Sequence, residues 1–115
     1  MREIKFRAWD KDEKAILHWD FIEDDMLPTV LSHDSFIPMQ YTGLKCNGHE
    51  WYEGDILEND SNWYQISWSN DDGRWEAVGI RSTGEILALS ELLSQETWVQ
   101  GNIYENPELL NPHTT

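Results

Sequence analysis

Histidine and cysteine are the side chains in this sequence best suited to metal binding or nucleophilic catalysis. The four histidines are scattered, with no HxH pair and no two that are four residues apart: His18, His33, His49 and His113. A metal site needs several such ligands close together, so this spacing does not predict one. Cys46, the single cysteine, lies in the polar turn sequence LKCNGHE without a CxxC partner. This predicts a free thiol on a loop and not a nucleophile.

Paired carboxylates are the other candidates for chemistry, as general acids and bases. Asp24 is next to Asp25, and Asp71 is next to Asp72, each pair in a stretch that reads as a polar loop. Acid–base catalysis requires two carboxyl groups across a cleft with pKa values shifted apart, whereas adjacent loop residues point to opposite sides. We therefore expect no catalytic, metal-binding or cofactor-binding residues, no cofactor, and a protein that is not an enzyme.

The seven tryptophans suggest a platform on which single-stranded bases could stack. Such a platform needs a basic groove beside it, and the charge of this sequence is acidic. Core packing, with one or two exposed rings at an interface, is the better interpretation of four of them: Trp9, Trp63, Trp75 and Trp98.

Charge is the least usual property of the sequence. The formal net charge is −14, and five of the eight basic residues fall in the first fourteen positions. Residues 15–115 hold only Lys45, Arg74 and Arg81 against eighteen acidic residues, a net charge of −15. Because binding to nucleic acid and to anionic membranes begins with Lys and Arg neutralising phosphates, we expect neither direct nucleic-acid binding nor membrane binding.

The length of 115 residues is typical of one domain, and half of it could not bury a core of its own. We therefore expect a single domain over residues 1–115, with a loosely packed tail over 105–115. No apolar run approaches the ~20 residues of a membrane span, and the first residues are charged. With a single cysteine, this favours the cytoplasm of the cell that makes the protein.

The elements that would position these residues are short and mostly extended. Ile4, Phe6 and Ala8 alternate with polar or larger residues, which predicts a strand, and residues 15–19 can return as a hairpin. Residues 21–36 fit a short helix or a loop, with Pro28 limiting helix length. Further short strands are predicted over residues 39–42, 56–58, 63–68, 75–81, 86–89 and 98–104, with a turn around Gly84 and a short helical segment capped by Ser90. The pattern predicts a mostly-β, small antiparallel barrel-like domain with one or two short helical segments.

Three stretches carry a family resemblance: MREIKFRAWDK at the start, MQYTGLK with WYEGDIL in the middle, and GNIYENPELL near the end. In this order and spacing the sequence resembles the YopX family of bacteriophage and prophage proteins. The resemblance implies a mostly-β barrel-like fold and a phage or prophage origin, and it brings no catalytic residues. The turn LKCNGHEW departs from the more charged stretch expected there.

The motif residues are expected to be structural, with a ligand site built from the same turns as the alternative. Glycines at positions 43 and 54 suit turns that need positive φ, and Asp55 can bond the turn amides. Asn106 before Pro107 can cap the chain as it leaves the last strand. The full set is Gly43, Gly54, Asp55, Gly101, Asn102, Tyr104, Asn106 and Pro107.

Two functions fit these observations. The first is a non-enzymatic phage or prophage accessory protein that acts through protein contacts or through self-association as a homo-oligomer, with an unidentified partner. The second is an acidic mimic of DNA that occupies a nucleic-acid-binding protein.

Overall fold

The structure is a computed structural model that describes residues 5–22, 25–60, 62–80, 85–94 and 96–110. Some features predicted from the sequence lie outside these residues: Ile4, Asp24, the turn at Gly84, His113 and the last five residues of the tail.

One antiparallel sheet is formed by four strands between residues 6 and 52. Its strands are β1 (Phe6–Asp10), β2 (Ala15–Leu17), β3 (Phe36–Cys46) and β4 (His49–Tyr52), in the order β2-β1-β3-β4. The long strand β3 pairs with β1 through its first half and with β4 through its second half. This division of partners explains how one strand can be eleven residues long.

A second antiparallel sheet follows. Its strands are β5 (Asp55–Asn59), β6 (Asn62–Ser69), β7 (Arg74–Gly79), β8 (Ile86–Ala88) and β9 (Trp98–Asn102), in the order β8-β7-β6-β5-β9. The predicted mostly-β, antiparallel and barrel-like fold is confirmed, because the strands curl into a half-barrel.

Helical structure in the described part of the chain is short. It consists of α1 (Leu27–Ser32) and three 3-10 helices over Trp19–Phe21, Leu89–Ser94 and Pro107–Leu110. Pro28 lies in the first turn of α1, where a missing N–H has no cost, so it favours the start of this helix instead of limiting it. None of the described helices is long and apolar enough to cross a membrane.

Three hydrophobic clusters of the described residues hold the sheets together. The largest lies between the β3–β4 hairpin, the second sheet and the Leu89–Ser94 helix, with Trp51 fully buried in it. A second cluster packs α1 against the first sheet, around Ala8 and Val30. The third, around Met39 and Tyr52, contacts Tyr104 of the stretch GNIYENPELL, residues 101–110, which we call the C-terminal motif.

The turn predicted around Cys46 is much shorter in the structure than in the sequence interpretation. Only Asn47 and Gly48, with φ of 55° and 81°, connect β3 to β4. Asn-Gly is the preferred pair for a two-residue hairpin turn with positive φ at both positions. Cys46 is therefore the last residue of a strand, half-buried and packed against the largest cluster, and its prediction as a loop thiol was wrong.

Replacing Cys46 with serine is expected to lower the free energy of unfolding by about 1 kcal/mol, because a hydroxyl replaces a sulfur in apolar surroundings. Urea unfolding measures the difference. Lys45→Ser is the matched control, since the side chain of Lys45 is exposed on the neighbouring position. Equal losses for the two variants would show that Cys46 contributes nothing to the core.

Candidate functional site

Two adjoining cavities of about 440 and 280 Å³ share Trp68 and Trp75 and form one groove, which we call the tryptophan groove. Both volumes are close to those of known ligand pockets. The groove lies where the first sheet meets the β6–β7 hairpin and the start of the Leu89–Ser94 helix. Its lining residues are Gln40, Thr42, Gly43, Leu44, Glu53, Trp68, Gly73, Arg74, Trp75, Ala88, Leu89 and Ser90.

The β6–β7 hairpin places the two indoles side by side. Trp68 pairs directly with Trp75 in the strand register, and their rings meet edge to face with centroids 5.1 Å apart. The turn between them is closed by the N–H of Gly73, which donates to the carbonyl of Ser69. Trp68 donates its Nε1–H to Asn70 over 3.0 Å, which fixes the ring while 38% of the residue remains exposed.

A bulge in β3 forms the opposite wall. The register of β3 against β4 shifts between Tyr41 and Lys45. Thr42 stabilises the bulge, because its hydroxyl donates to the carbonyl of Trp51 and accepts the N–H of Leu44. Gly43 has φ +87°, and a Cβ built on it would meet nothing within 4 Å. The wall is therefore open backbone, which another chain can approach closely.

The rim of the tryptophan groove is acidic. Arg74 pairs with Glu76 over 3.0 Å, which neutralises the positive charge on this side. Glu53 lines one end, and the exposed Asp71 and Asp72 precede the lining residue Gly73. Positively charged groups are therefore favoured next to the two indoles.

The C-terminal motif folds into a turn that is held by one asparagine. The side-chain oxygen of Asn102 accepts the N–H groups of Tyr104 and Glu105 at 3.0 and 2.8 Å, and its amide donates to the Glu105 carboxylate. Asn106 completes the turn, because its side-chain oxygen accepts the N–H of Asn102. Pro107 then begins the last 3-10 helix.

Gly101 leaves room for this turn. A Cβ built on Gly101 would lie 2.3 Å from Oδ1 of Asn106, which is too close for any real side chain. The turn docks on β5, since Ile103 donates its N–H to the carbonyl of Gly54 over 2.9 Å. The ring of Tyr104 lies against Gly54 and stacks on Trp9, with centroids 6.0 Å apart.

The motif residues thus meet at the junction of the two sheets, with Gly43 as the exception. Asp55 pairs in register with Asn102 of β9, next to the docked turn. Gly43 lies apart in the wall of the tryptophan groove. Most of the motif residues therefore pack one end of the fold, whereas Gly43 lines a cavity.

Asp55 also makes an ion pair that the sequence analysis missed. Its carboxylate accepts from the guanidinium of Arg7, and its other oxygen accepts the N–H of Tyr52 over 2.9 Å. The side chains of Arg7 and Asp55 are 14% and 2% exposed. Burial raises the pKa of Asp55 to about 6, although the nearby charge of Arg7 acts in the opposite direction.

A second ion pair lies close to the first. Lys5 Nζ is 2.5 Å from Glu50 Oε2 and lies over the ring of Tyr41. Burial and the charge of Glu50 raise the pKa of Tyr52 to about 12, so its hydroxyl stays protonated. Two of the five basic residues near the N-terminus are therefore used inside the protein.

The candidates for metal or acid–base chemistry stay apart. His18, His33 and His49 are all exposed, and so are Asp25, Asp71 and Asp72. Within the described ranges, no three His, Cys, Asp or Glu side chains come together as metal ligands.

Comparisons with known proteins agree with the resemblance seen in the sequence. A family model described as YopX protein matches residues 22–111, whereas a comparison with curated proteins gives no match. The chain is similar to the crystal structure of protein EF1440 from Enterococcus faecalis, with a TM-score of 0.70 and 27% identity over 96% of this chain and 100% of that one. It also shares its fold with protein yopX from Bacillus subtilis, with a TM-score of 0.53 and 19% identity over 96% and 98% of the two chains. Because the family model spans most of the sequence, the chain belongs to the YopX family.

Proposed function

We propose that this protein is a non-enzymatic phage or prophage accessory protein that acts by binding another protein through the tryptophan groove. One observation carries the proposal: an exposed tryptophan, held by its own hydrogen bond, lies next to a half-buried one in an open groove between two sheets. Tryptophan is enriched among the residues that dominate binding energy at protein interfaces, because it contributes a large apolar area from a rigid ring.

The lining of the groove supports binding and not reaction. Its polar side chains include the hydroxyls of Thr42 and Ser90, the paired Arg74 and the carboxylate of Glu53. The hydroxyl of Thr42 is already used by the bulge. A nucleophilic hydroxyl needs a base within hydrogen-bond reach to become reactive. Arg74 is a permanent cation that cannot act as one, and Glu53 lines the other cavity, not the one that Thr42 and Ser90 line.

Charge favours a different chain over a second copy as the partner. Each copy has a formal net charge of −14, so two copies repel each other at low salt. Analytical ultracentrifugation at low and high salt measures whether the protein is a monomer or a dimer. A stable dimer at low salt would favour self-association instead.

The test of the proposal uses two tryptophans that are exposed to a similar extent. Trp68 lies in the groove, and Trp98, 45% exposed, lies on the edge strand β9. Proteins captured by the wild type from a phage-carrying bacterial lysate are purified and titrated against Trp68→Ala and Trp98→Ala. We expect Trp68→Ala to weaken binding by about ten-fold or more and Trp98→Ala to leave it unchanged. Equal effects would contradict the groove as the binding site.

Mimicry of DNA is a second candidate function, and the acidic charge favours it. The ion pairs of Lys5, Arg7 and Arg74 each cancel one cation against one carboxylate, so the remaining side chains still carry the formal net charge of −14. A surface of this kind attracts the basic sites of nucleic-acid-binding proteins over a long range.

Charge reversal tests mimicry, and Trp68→Ala distinguishes it from groove binding. If mimicry operates, changing both Asp71 and Asp72 to lysine slows association with a DNA-binding partner, and added salt weakens the complex steeply. The unfolding free energy should change by no more than about 0.5 kcal/mol per site, since both side chains are exposed. Stopped-flow kinetics measures the association rate. Mimicry also requires that Trp68→Ala leave binding unchanged, so a partner that depends on Trp68 contradicts it.

A further inference from the structure

We infer that the tryptophan groove binds an extended, proline-containing segment of the partner with lysine or arginine on its flanks. This inference rests on the proposed function, and it adds the chemistry of the bound segment.

The two indoles favour proline rings. The indole rings of Trp68 and Trp75 are inclined at 70° to each other, so the pair presents two ring faces of different orientation. Grooves lined by aromatic rings bind proline-rich segments, because the polyproline II conformation is already formed before binding and little conformational freedom is lost.

The shape of the groove favours an extended segment over a helix. An amphipathic helix docks through several apolar anchors spaced at three or four residues, and each anchor needs a site that can receive it. Among the described large apolar side chains of the groove, Trp68 alone is clearly exposed, while Leu89 is fully buried. The open backbone wall at Gly43 allows the main chain of an extended segment to come close.

The charges around the groove favour basic flanks. Glu53 lies at one end, and Asp71 and Asp72 lie in the turn of the β6–β7 hairpin. Glu91 is exposed next to the lining residue Ser90. Among the described residues of the lining, the one cation is Arg74, and its pairing with Glu76 means that it does little to repel a lysine or arginine of the partner.

Three synthetic peptides of ten residues test this inference on the full chain. The first has six prolines between two pairs of arginines, the second replaces the arginines with glutamates, and the third is an alanine-rich peptide with the same four arginines that a covalent side-chain staple holds helical. Binding is followed through the indole N–H signals of the ¹⁵N-labelled protein. The signals of Trp68 and Trp75 are assigned with Trp68→Phe and Trp75→Phe.

We expect the first peptide to shift the signals of Trp68 and Trp75 and to leave that of Trp98 in place. Trp68→Ala should weaken binding by about ten-fold or more, Trp98→Ala should not, and the other two peptides should not bind. Thermal melting followed by circular dichroism checks that both variants are folded. The inference is overturned if the helical peptide binds as well as the first one, or if the first peptide shifts no groove signal at millimolar concentration. In that event, if Trp68→Ala still weakens binding of the purified partner, the proposed function stands and only the inference about the bound segment is wrong. If Trp68→Ala leaves binding of the partner unchanged, both the inference and the proposed function are wrong.

Discussion

Replacing Arg7 with methionine is expected to lower the free energy of unfolding by about 3 kcal/mol at pH 7, because it leaves the buried carboxylate of Asp55 without its counter-charge. Urea unfolding followed by circular dichroism measures this loss. Adding Asp55→Asn to the same chain should recover much of it. The amide is neutral, and its oxygen still accepts the N–H of Tyr52.

The pH dependence of stability gives this prediction a sign. Burial raises the pKa of Asp55 in the folded protein to about 6, so the folded state binds this proton more tightly than the unfolded state does. The stabilisation that comes from protonated Asp55 is fully present below pH 3.8, near the pKa of this group in the unfolded chain. It is lost as the pH rises through about 6. Arg7→Met removes the positive charge beside Asp55 and so raises the pKa of Asp55 in the folded protein further. The loss of unfolding free energy caused by Arg7→Met should therefore be smaller at pH 5 than at pH 7. A cost that is equal at both pH values, or that Asp55→Asn does not reduce, would show that the pair is not energetically coupled.

Gly54→Val is expected to lower the free energy of unfolding by about 3 kcal/mol or more, by combining backbone strain with a steric clash. Gly54 has φ +90°, and a Cβ there would lie 3.3 Å from the Met39 side chain and 3.4 Å from the ring of Tyr104. The valine would therefore push the C-terminal motif away from β5.

Gly43→Val is the matched control for this prediction. Gly43 has nearly the same backbone angle, φ +87°, but nothing lies within 4 Å of a Cβ built on it. Gly43→Val should therefore lower the free energy of unfolding only by the cost of the backbone strain, about 1–2 kcal/mol. Equal losses in thermal or urea unfolding would mean that the contacts between Gly54, Met39 and Tyr104 contribute nothing.

The strands of the second sheet could be predicted because each has a local signal. Tyr64 and Ile66 alternate with Gln65 and Ser67, and the first pair is buried while the second is partly exposed. The hairpin loop at Gly73 likewise follows from residues next to one another in the chain.

The β3–β4 hairpin was harder to predict because its signal is mixed. Strand β3 changes partner near its middle and carries a bulge, which interrupts the alternation of buried and exposed residues. Polar residues around Cys46 then suggested a long loop, although Asn47 and Gly48 alone make the turn. The fully buried Trp51 gave no local sign of its burial, since it directly follows a polar stretch over residues 47–50.

The buried ion pairs and the tryptophan groove depend on contacts between distant parts of the chain. Arg7 and Asp55 are 48 residues apart, and Lys5 and Glu50 are 45 apart. In the sequence, Lys5 and Arg7 therefore read as residues on the polar face of a half-buried strand. The groove combines residues of β3, the β6–β7 hairpin and the segment after β8, and no local pattern brings these three together.

Site-specific photo-cross-linking measures most directly whether the tryptophan groove binds another protein. A benzophenone amino acid is placed at Ser90, which is exposed and lines the groove, and in a second variant at Gln100, which is exposed on the edge strand β9. Both variants are expressed in cells whose genome carries the gene of this protein and are irradiated there. We expect a cross-linked second polypeptide from position 90 and none from position 100, and Trp68→Ala should abolish the adduct at position 90. Adducts of equal yield from both positions, or an adduct at position 90 that survives Trp68→Ala, would contradict the groove as the binding site.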